Sequence, residues 1–556
     1  MKKYIFFLVL IFILGLVLRL YRLGEIPVGL HRDEAFLGYN AYSILLTGKD
    51  ITGNFLPLHL KSFLYSPAGY SYLSIPFIYL FGLSVFSVRF ASALFGSLTI
   101  LITYFLTMEI FREKKHKSEI GLLASLFIAV SPWNINLART ATENTIVVFL
   151  ISVTTLLFFL WVRKKNLILL IASFLIFSLT LFFYQAPRAF LPFFIPLLFI
   201  ISFWSKLELK RFKTSIFLFI LTIIIPVFLI LSSDSLTLRI KTVSIFSSSQ
   251  TQLEVNQQIR EDGVSNVPIF LSRTFHNKVI GYTSQFFQNY FAHFSFDFLF
   301  EDQGLPDRYR VPQISPIYLI ELPFLLFGIW MLLKNNFRKG VFLLGWIFLV
   351  PVGSALTSDD VPNVQRTLIF FPALSIISAY GFFSLYSLLK KQTFFSLFLI
   401  VIIFIFFLFG LLSYLHQYYV HLSHYRPWYR QDGYKELVAV VNNLLPTYKR
   451  AVITDRESAP AIFFLFYSKY DPIAFQEETR NPKINDFDRI GFGKYVFSQD
   501  ECPLRIEKKN DSKVLVGETN VLYVNSFLCK DIDSFKLLKK IKRGDNSDVF
   551  SVLKVK

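Results

Sequence analysis

Long apolar runs alternate with short polar breaks along most of the chain. A membrane-crossing helix needs about 20 mainly apolar residues, and runs of roughly that length lie at about 4–23, 86–109, 120–137, 144–162, 167–184, 189–204, 214–231, 316–333, 340–356, 367–388 and 393–415. The pattern predicts about eleven membrane-spanning helices. Two longer intervals interrupt them, at about 24–85 and 232–315. Within the first, Tyr70 to Leu83 is apolar enough to lie in the membrane interface as a surface helix or to re-enter the bilayer. The second begins polar (Ser247 to Gln250) and turns aromatic from Phe286 to Phe300, as an interfacial segment does. From about 416 the pattern becomes that of a soluble α/β domain. Tyr434 to Leu445 reads as an amphipathic helix, and Ile462 to Tyr467 as an apolar stretch after helix-capping residues at Asp455 to Ser458. Ala451 to Thr454, Lys494 to Phe497, Val521 to Val524 and Val549 to Leu553 read as strands.

Composition agrees with lipid as the solvent. The chain is 54% hydrophobic and 17% charged, whereas soluble domains average about 25% charged. The net charge of +19 does not point to nucleic acid, because the basic residues form short clusters between apolar runs. Arg112 to Lys117, Arg163 to Lys165, Lys206 to Lys213, Lys334 to Lys339 and Lys390-Lys391 fill every second connection. Lys and Arg resist translocation, so these clusters and Lys2-Lys3 fall on the cytoplasmic side. The long intervals and the tail then lie outside. The N-terminal apolar stretch has no small-residue cleavage site and runs into Arg19-Leu20-Tyr21-Arg22, so it reads as an uncleaved first span. The two cysteines, Cys502 and Cys529, are too few for a disulfide framework or a zinc site; one disulfide or two buried thiols both fit.

Ionisable residues are sparse at the centres of the spans, where ion-coupled transporters keep them, and broken mid-membrane helices are not evident. The polar groups gather at the outer ends of spans and in the outer loops, which favours chemistry at the membrane surface over transport through it. The densest group is His31-Arg32-Asp33-Glu34, after the first span. A carboxylate held there can serve as general base for an acceptor hydroxyl. Other candidates on that face are Lys61, Arg139, Glu143, Arg188 and Arg366. Each arginine alone fits a side chain snorkelling to lipid phosphates; together, cations beside carboxylates suit a phosphorylated lipid, whose oxygens Arg binds in bidentate fashion. His31 beside Asp33 and Glu34 offers at most part of a divalent-cation site, and no metal or other cofactor is expected.

The chain resembles a GT-C type glycosyltransferase of the protein O-mannosyltransferase group (glycosyltransferase family 39), which includes the bacterial lipid A aminoarabinose transferases. The residues carrying the likeness are Asp33-Glu34-Ala35, Gly48-Lys49-Asp50, Pro67 to Gly82, Val88 to Gly96, Ser131-Pro132-Trp133 and Arg139 to Asn144. It covers positions 1 to about 200 well and 350–370 more loosely. The resemblance implies a GT-C-like catalytic domain over 1–415 and an extracytoplasmic α/β domain over 416–556. It also implies sugar transfer from a polyprenyl-phosphate donor to a protein, glycan or lipid acceptor at the outer face of a bacterial plasma membrane. Asp33 matches the family's first-loop acidic residue, taken as the catalytic base, and Glu143 matches a second acid after the third span. Lys61, Arg139 and Arg366 become candidates for the donor phosphate, with His31, Glu34 and Tyr65 as further first-loop candidates. Where the lipid A branch has a Glu-Lys pair before proline, this chain has Tyr65-Ser66 before Pro67, which leaves its phosphate ligand unassigned. The competing classes are a transporter or lipid flippase, which needs polar groups inside its spans, and a surface-assembly protein working through its tail.

Overall fold

The structure, a computed structural model, describes residues 2–61, 66–204, 209–233, 240–301, 304, 306–389, 393–480, 489–509, 512–530 and 532–556. Lys206 and the Lys390-Lys391 pair lie outside the described residues. Each of the eleven apolar runs is helical over most of its length. Seven helices among the described residues are long and apolar enough to cross a membrane, or eight if a bent pair counts as one span. That pair, Lys117–Val130 and Pro132–Ala138, is bent by 56°. Proline disfavours the helical region for the residue before it, and Ser131 accordingly sits in the extended region at φ −63°, ψ 126°. Leu167–Thr180, Ala186–Trp204 and Leu322–Asn335 account for the other runs as apolar helices, two of 14 residues and one carrying internal prolines at 192 and 196.

The chain forms two compact units. The first comprises Met1–Arg19, Ser92–Ala138 and Thr142–Tyr414. Its packing is aromatic: fully buried Trp346 donates its indole N–H to the Ile369 carbonyl at 2.9 Å and meets the rings of Phe194 and Phe342. The interval 240–301 is largely helical here, over Ser249–Val264, Ile269–Phe275, Lys278–Ala292 and Phe296–Phe300.

The second unit comprises Leu20–Ala91, Arg139–Ala141 and Leu415–Lys556. The long interval after the first span therefore folds with the tail. In that interval, helix Arg32–Thr47 is followed by a two-residue antiparallel pair, β1 (His59–Leu60) and β2 (Ser66–Pro67), and by helix Gly69–Phe81. This last helix covers most of the apolar stretch from Tyr70 to Leu83. Tyr70, Ser71, Ser74 and Ile78 are buried while Tyr79, Leu80 and Phe81 are exposed.

The tail contains β3 (Arg450–Thr454), β4 (Tyr495–Ser498), β5 (Arg505–Lys509), β6 (Ser512–Val516), β7 (Val521–Ser526), β8 (Lys536–Lys542) and β9 (Asp548–Lys554). Five of them form a mixed sheet in the order β4-β3-β7-β9-β8, with β4, β3 and β7 parallel and β9 antiparallel to both neighbours. The central strand β7 is buried throughout, and its first four residues, Val521 to Val524, form the apolar run read from the sequence. Edge strand β8 carries four lysines, a common way to keep a sheet edge from pairing further. Tyr434 stacks on Phe463 at 4.2 Å and meets Phe550 edge-on, joining helices Tyr434–Leu444 and Pro460–Ser468 to the sheet. Cys502 and Cys529 form a disulfide, which decides between the two readings left open by the sequence.

Candidate active site

The helix that carries Asp33 begins with reciprocal capping. The His31 ring nitrogen Nδ1 accepts from the Asp33 N–H at 3.2 Å, and the Glu34 carboxylate accepts from the His31 N–H at 3.1 Å. Such caps satisfy backbone donors that a helix start otherwise leaves open. At the other end Gly48 adopts φ +70°, where a side chain would be strained, and its N–H closes on the Ile44 carbonyl.

The neighbours Asp33 and Glu34 have opposite surroundings. Glu34 is buried and forms two 2.9 Å bonds with Arg89 Nε and Nη2, besides accepting from the Ala141 N–H at 2.8 Å. Burial pushes its carboxyl upward, but Arg89 and the N–H donors outweigh burial and hold it below the usual range. Arg89 also donates to the Pro27 and Gly29 carbonyls. Together these bonds make Glu34 the peg of the loop. The Asp33 side chain is 55% exposed, with His31 Nδ1 at 3.4 Å and Arg32 Nε at 3.8 Å. It stands in the first helical turn, where the helix dipole favours negative charge.

Arg139 belongs to the same unit. Its guanidinium is buried, donates Nη2 to the Tyr21 and Ile26 carbonyls, and lies 5.2 Å from the ring centres of both Tyr418 and Tyr419. These contacts brace the loop. Lys61 is exposed beside β1, and Tyr65 lies outside the described residues.

In the first unit, Glu143 opens helix Glu143–Lys164 and accepts from the Gln365 amide at 3.2 Å. The Gln365 side-chain oxygen in turn accepts from the Tyr309 hydroxyl at 3.2 Å and from Arg308 at 3.4 Å. Asn144 donates to the Gln365 backbone carbonyl. Arg366 donates to Thr357 Oγ1 and the Asp359 carbonyl, both at 2.7 Å, and pairs with the Asp359 carboxylate at 3.1 Å. Arg188 turns instead to the Leu181 carbonyl, with Nη2 at 3.3 Å. Burial raises the Asp360 carboxyl above its usual range against the pull of Arg366. His293 completes the cluster: Nδ1 faces the Asn289 carbonyl at 2.7 Å, and Nε2 accepts from the Asn363 N–H at 3.2 Å. That pattern assigns a neutral ring, and burial lowers its pKa to about 4.

The structure thus joins Glu143 to the 365–366 segment, far along the chain, and joins Glu34 to Arg89 and the 139–141 segment. Gln365, Arg308, Tyr309 and His293 were not among the residues singled out from sequence. A basic and aromatic run, Asp307-Arg308-Tyr309-Arg310, marks two of them; a neutral glutamine gives no such signal. Among the described residues no group of three or more His, Cys, Asp or Glu is placed to hold a metal ion.

Residues 66–230 match the family model of dolichyl-phosphate-mannose-protein mannosyltransferases. The fold is shared over almost the whole chain with ArnT from Cupriavidus metallidurans in the apo state, with TM-score 0.53, 12% identity, and 99% of this chain and 97% of that one covered. The chain has the GT-C glycosyltransferase fold. The same ArnT bound to undecaprenyl phosphate matches it with TM-score 0.51 at 12% identity, over 98% and 97% of the two chains. The archaeal oligosaccharyltransferase AglB from Archaeoglobus fulgidus reaches TM-score 0.47 at 12% identity over 84% and 63% of the two chains. No curated protein matches the sequence. The resemblance read from the short motifs therefore holds: a glycosyltransferase, with a transmembrane helical body and a β-rich tail.

Proposed function

We propose that this transferase moves a sugar from a polyprenyl-phosphate donor to an acceptor hydroxyl at the extracytoplasmic membrane face, by one inverting displacement with Asp33 as general base. The observation that carries the reading is the contrast within one helical turn: Glu34 is consumed by a buried ion pair, while Asp33 keeps a solvent-facing carboxylate on a capped, rigid helix start. The acceptor oxygen forms the new bond to the anomeric carbon as the bond from that carbon to the phosphate oxygen breaks. The acceptor proton passes to Asp33, and the lipid phosphate leaves with the bonding pair.

Cations aimed at the leaving phosphate stabilise charge as it develops. Arg366 is the favoured candidate, with Lys61 and Arg139 behind it, because the contacts of Arg139 are those of a brace. A phosphate would take the place of the Asp359 carboxylate on Arg366. Glu143 is proposed as the second acid, oriented by Gln365. Binding of undecaprenyl phosphate by the structurally similar ArnT supports a polyprenyl-phosphate donor here. The acceptor is a protein, glycan or lipid hydroxyl.

Two features support the orientation. Every second connection is basic, which favours a cytoplasmic N-terminus, and the Cys502–Cys529 disulfide suits an oxidising compartment. Both favour a tail outside a bacterial plasma membrane. The test is mass-shift detection of sugar transfer in membranes supplied with polyprenyl-phosphate sugars, with and without chelator. Wild-type chain transfers and Asp33→Asn loses at least about a hundredfold in rate. Full activity in Asp33→Asn removes Asp33 from the mechanism, and loss of wild-type transfer in chelator brings in a metal.

A further inference from the structure

We propose that the tail is a positioning clamp for the helix bearing Asp33, rather than a separate recognition module. The inference rests on Asp33 being the base. Helix Arg32–Thr47 is gripped by tail residues at its start, middle and end. At the start, the Gln431 side-chain oxygen accepts from the Arg32 N–H at 3.1 Å, one of the donors a helix start leaves open. At the middle, the Tyr39 hydroxyl donates to the Tyr470 carbonyl at 2.7 Å. At the end, the Gln476 amide donates to the Asp50 carbonyl at 2.9 Å and meets Ser43 Oγ and Thr47 Oγ1 at 3.1 and 3.3 Å.

Apolar packing follows the same line. A side chain at Gly38 would collide with Val88 and press on Phe466 of the tail. Just before the helix, Gly29 at φ +76° lies so close to the Arg430 carbonyl that any Cβ there would collide with it. Gln431 itself is held at φ +49°, against the ordinary preference of a side-chain-bearing residue. Its backbone is therefore fixed by its surroundings, and its amide is delivered to the residue next to Asp33. The bonds to the start, middle and end of the helix come from tail segments near 431, 470 and 476, so the tail must be folded for the helix to be seated. Glu34, through Arg89 and Ala141, holds the opposite side of the first turn.

Gln431 acts by position, through the Arg32 N–H it holds. A general base displaced by about 1 Å loses roughly a hundredfold in rate; removal of one of three holds is expected to cost about tenfold. The experiment uses the full chain reconstituted in lipid, with Gln431→Met, Gln431→Glu and Gln476→Leu. Kinetics with a polyprenyl-phosphate sugar are read beside hydrogen exchange over residues 32–47. The expected result for Gln431→Met is a kcat about tenfold lower with donor KM within about twofold, together with faster exchange at the start of the helix. Gln431→Glu keeps the accepting oxygen and restores kcat. Gln476→Leu loosens the far end of the helix with a smaller drop in kcat, and decides the matter alone if Gln431→Met does not fold. Unchanged kcat in the folded variants, or a Gln431→Glu variant as slow as Gln431→Met, overturns the clamp. Asp33→Asn is run in parallel: if it is inactive while the Gln431 series is unaffected, only the clamp fails, whereas an active Asp33→Asn removes the reading beneath it.

Discussion

The polar group around Asp33 and the polar group around Gln365 are built on different plans. In the first, charge is buried and matched: Glu34 lies against Arg89 with backbone donors completing its coordination. In the second, neutral groups carry the connections. Gln365 links Glu143 to Arg308 and Tyr309, and a neutral His293 ties the Asn289, Ser354 and Asn363 positions together. The difference teaches how neighbouring carboxylates are held. Any proton taken up by the buried Glu34 would cost it the Arg89 pair. The Asp33 side chain, one position earlier, is 55% exposed beside His31 and Arg32, and the proposed reaction draws on that exposure.

Breaking the scaffold carboxylate should have the largest effect. Glu34→Ala leaves the Arg89 charge buried without its carboxylate, which typically costs about 3–5 kcal/mol. The protein should melt far below wild type in detergent and be recovered poorly from membranes. If Glu34→Ala folds normally while losing transfer, Glu34 rather than Asp33 becomes the candidate base. Asp33→Asn should show the reverse, with wild-type melting and transfer down by at least about a hundredfold.

The neutral cluster should respond to pH. An unfolded histidine takes up a proton near 6.5, whereas His293 resists until about 4. Between those values the unfolded state binds more protons, so stability is present above about 6.5 and is lost as pH falls toward 4. The full loss is roughly 3 kcal/mol. Melting curves across that range should show the slope in the wild type and a flatter one in His293→Gln; equal slopes remove His293 as its source. Arg366→Ala should be the mildest, raising donor KM about tenfold with a smaller fall in kcat. An unchanged KM would assign Arg366 to holding Asp359 and nothing more.

Legibility followed the range of the interactions. The polar cluster His31-Arg32-Asp33-Glu34 sits within one turn and stands out in the sequence, although its reciprocal capping appears only in the structure. The tail strands β3, β4, β7 and β9 stand out too, with apolar runs that fall close to their observed limits. The lysine-rich β8 and the hairpin of β5 and β6 were missed, because lysines interrupt β8, charged residues flank Ile506 in β5, and β6 offers only the three-residue run Val514 to Val516, too short to mark a strand. Gln365 was missed for a related reason: its role comes from what it touches, and a neutral amide leaves no trace in charge or hydropathy.

The sequence by itself determined the membrane-spanning body, the basic connections from which sidedness is argued, and the glycosyltransferase likeness of the N-terminal part. Bilayer thickness, charge translocation and short motifs all act over stretches no longer than one span, so they can be read without knowing the packing. Only the tertiary structure decided that the interval after the first span folds with the tail, that Glu34 lies in a buried pair with Arg89, and that Arg139 bonds the Tyr21 and Ile26 carbonyls beside Tyr418 and Tyr419. Each of those outcomes depends on burial and on partners far away in the chain, such as Arg89 for Glu34 and Gln431 for Arg32, and burial is a property of the packed molecule.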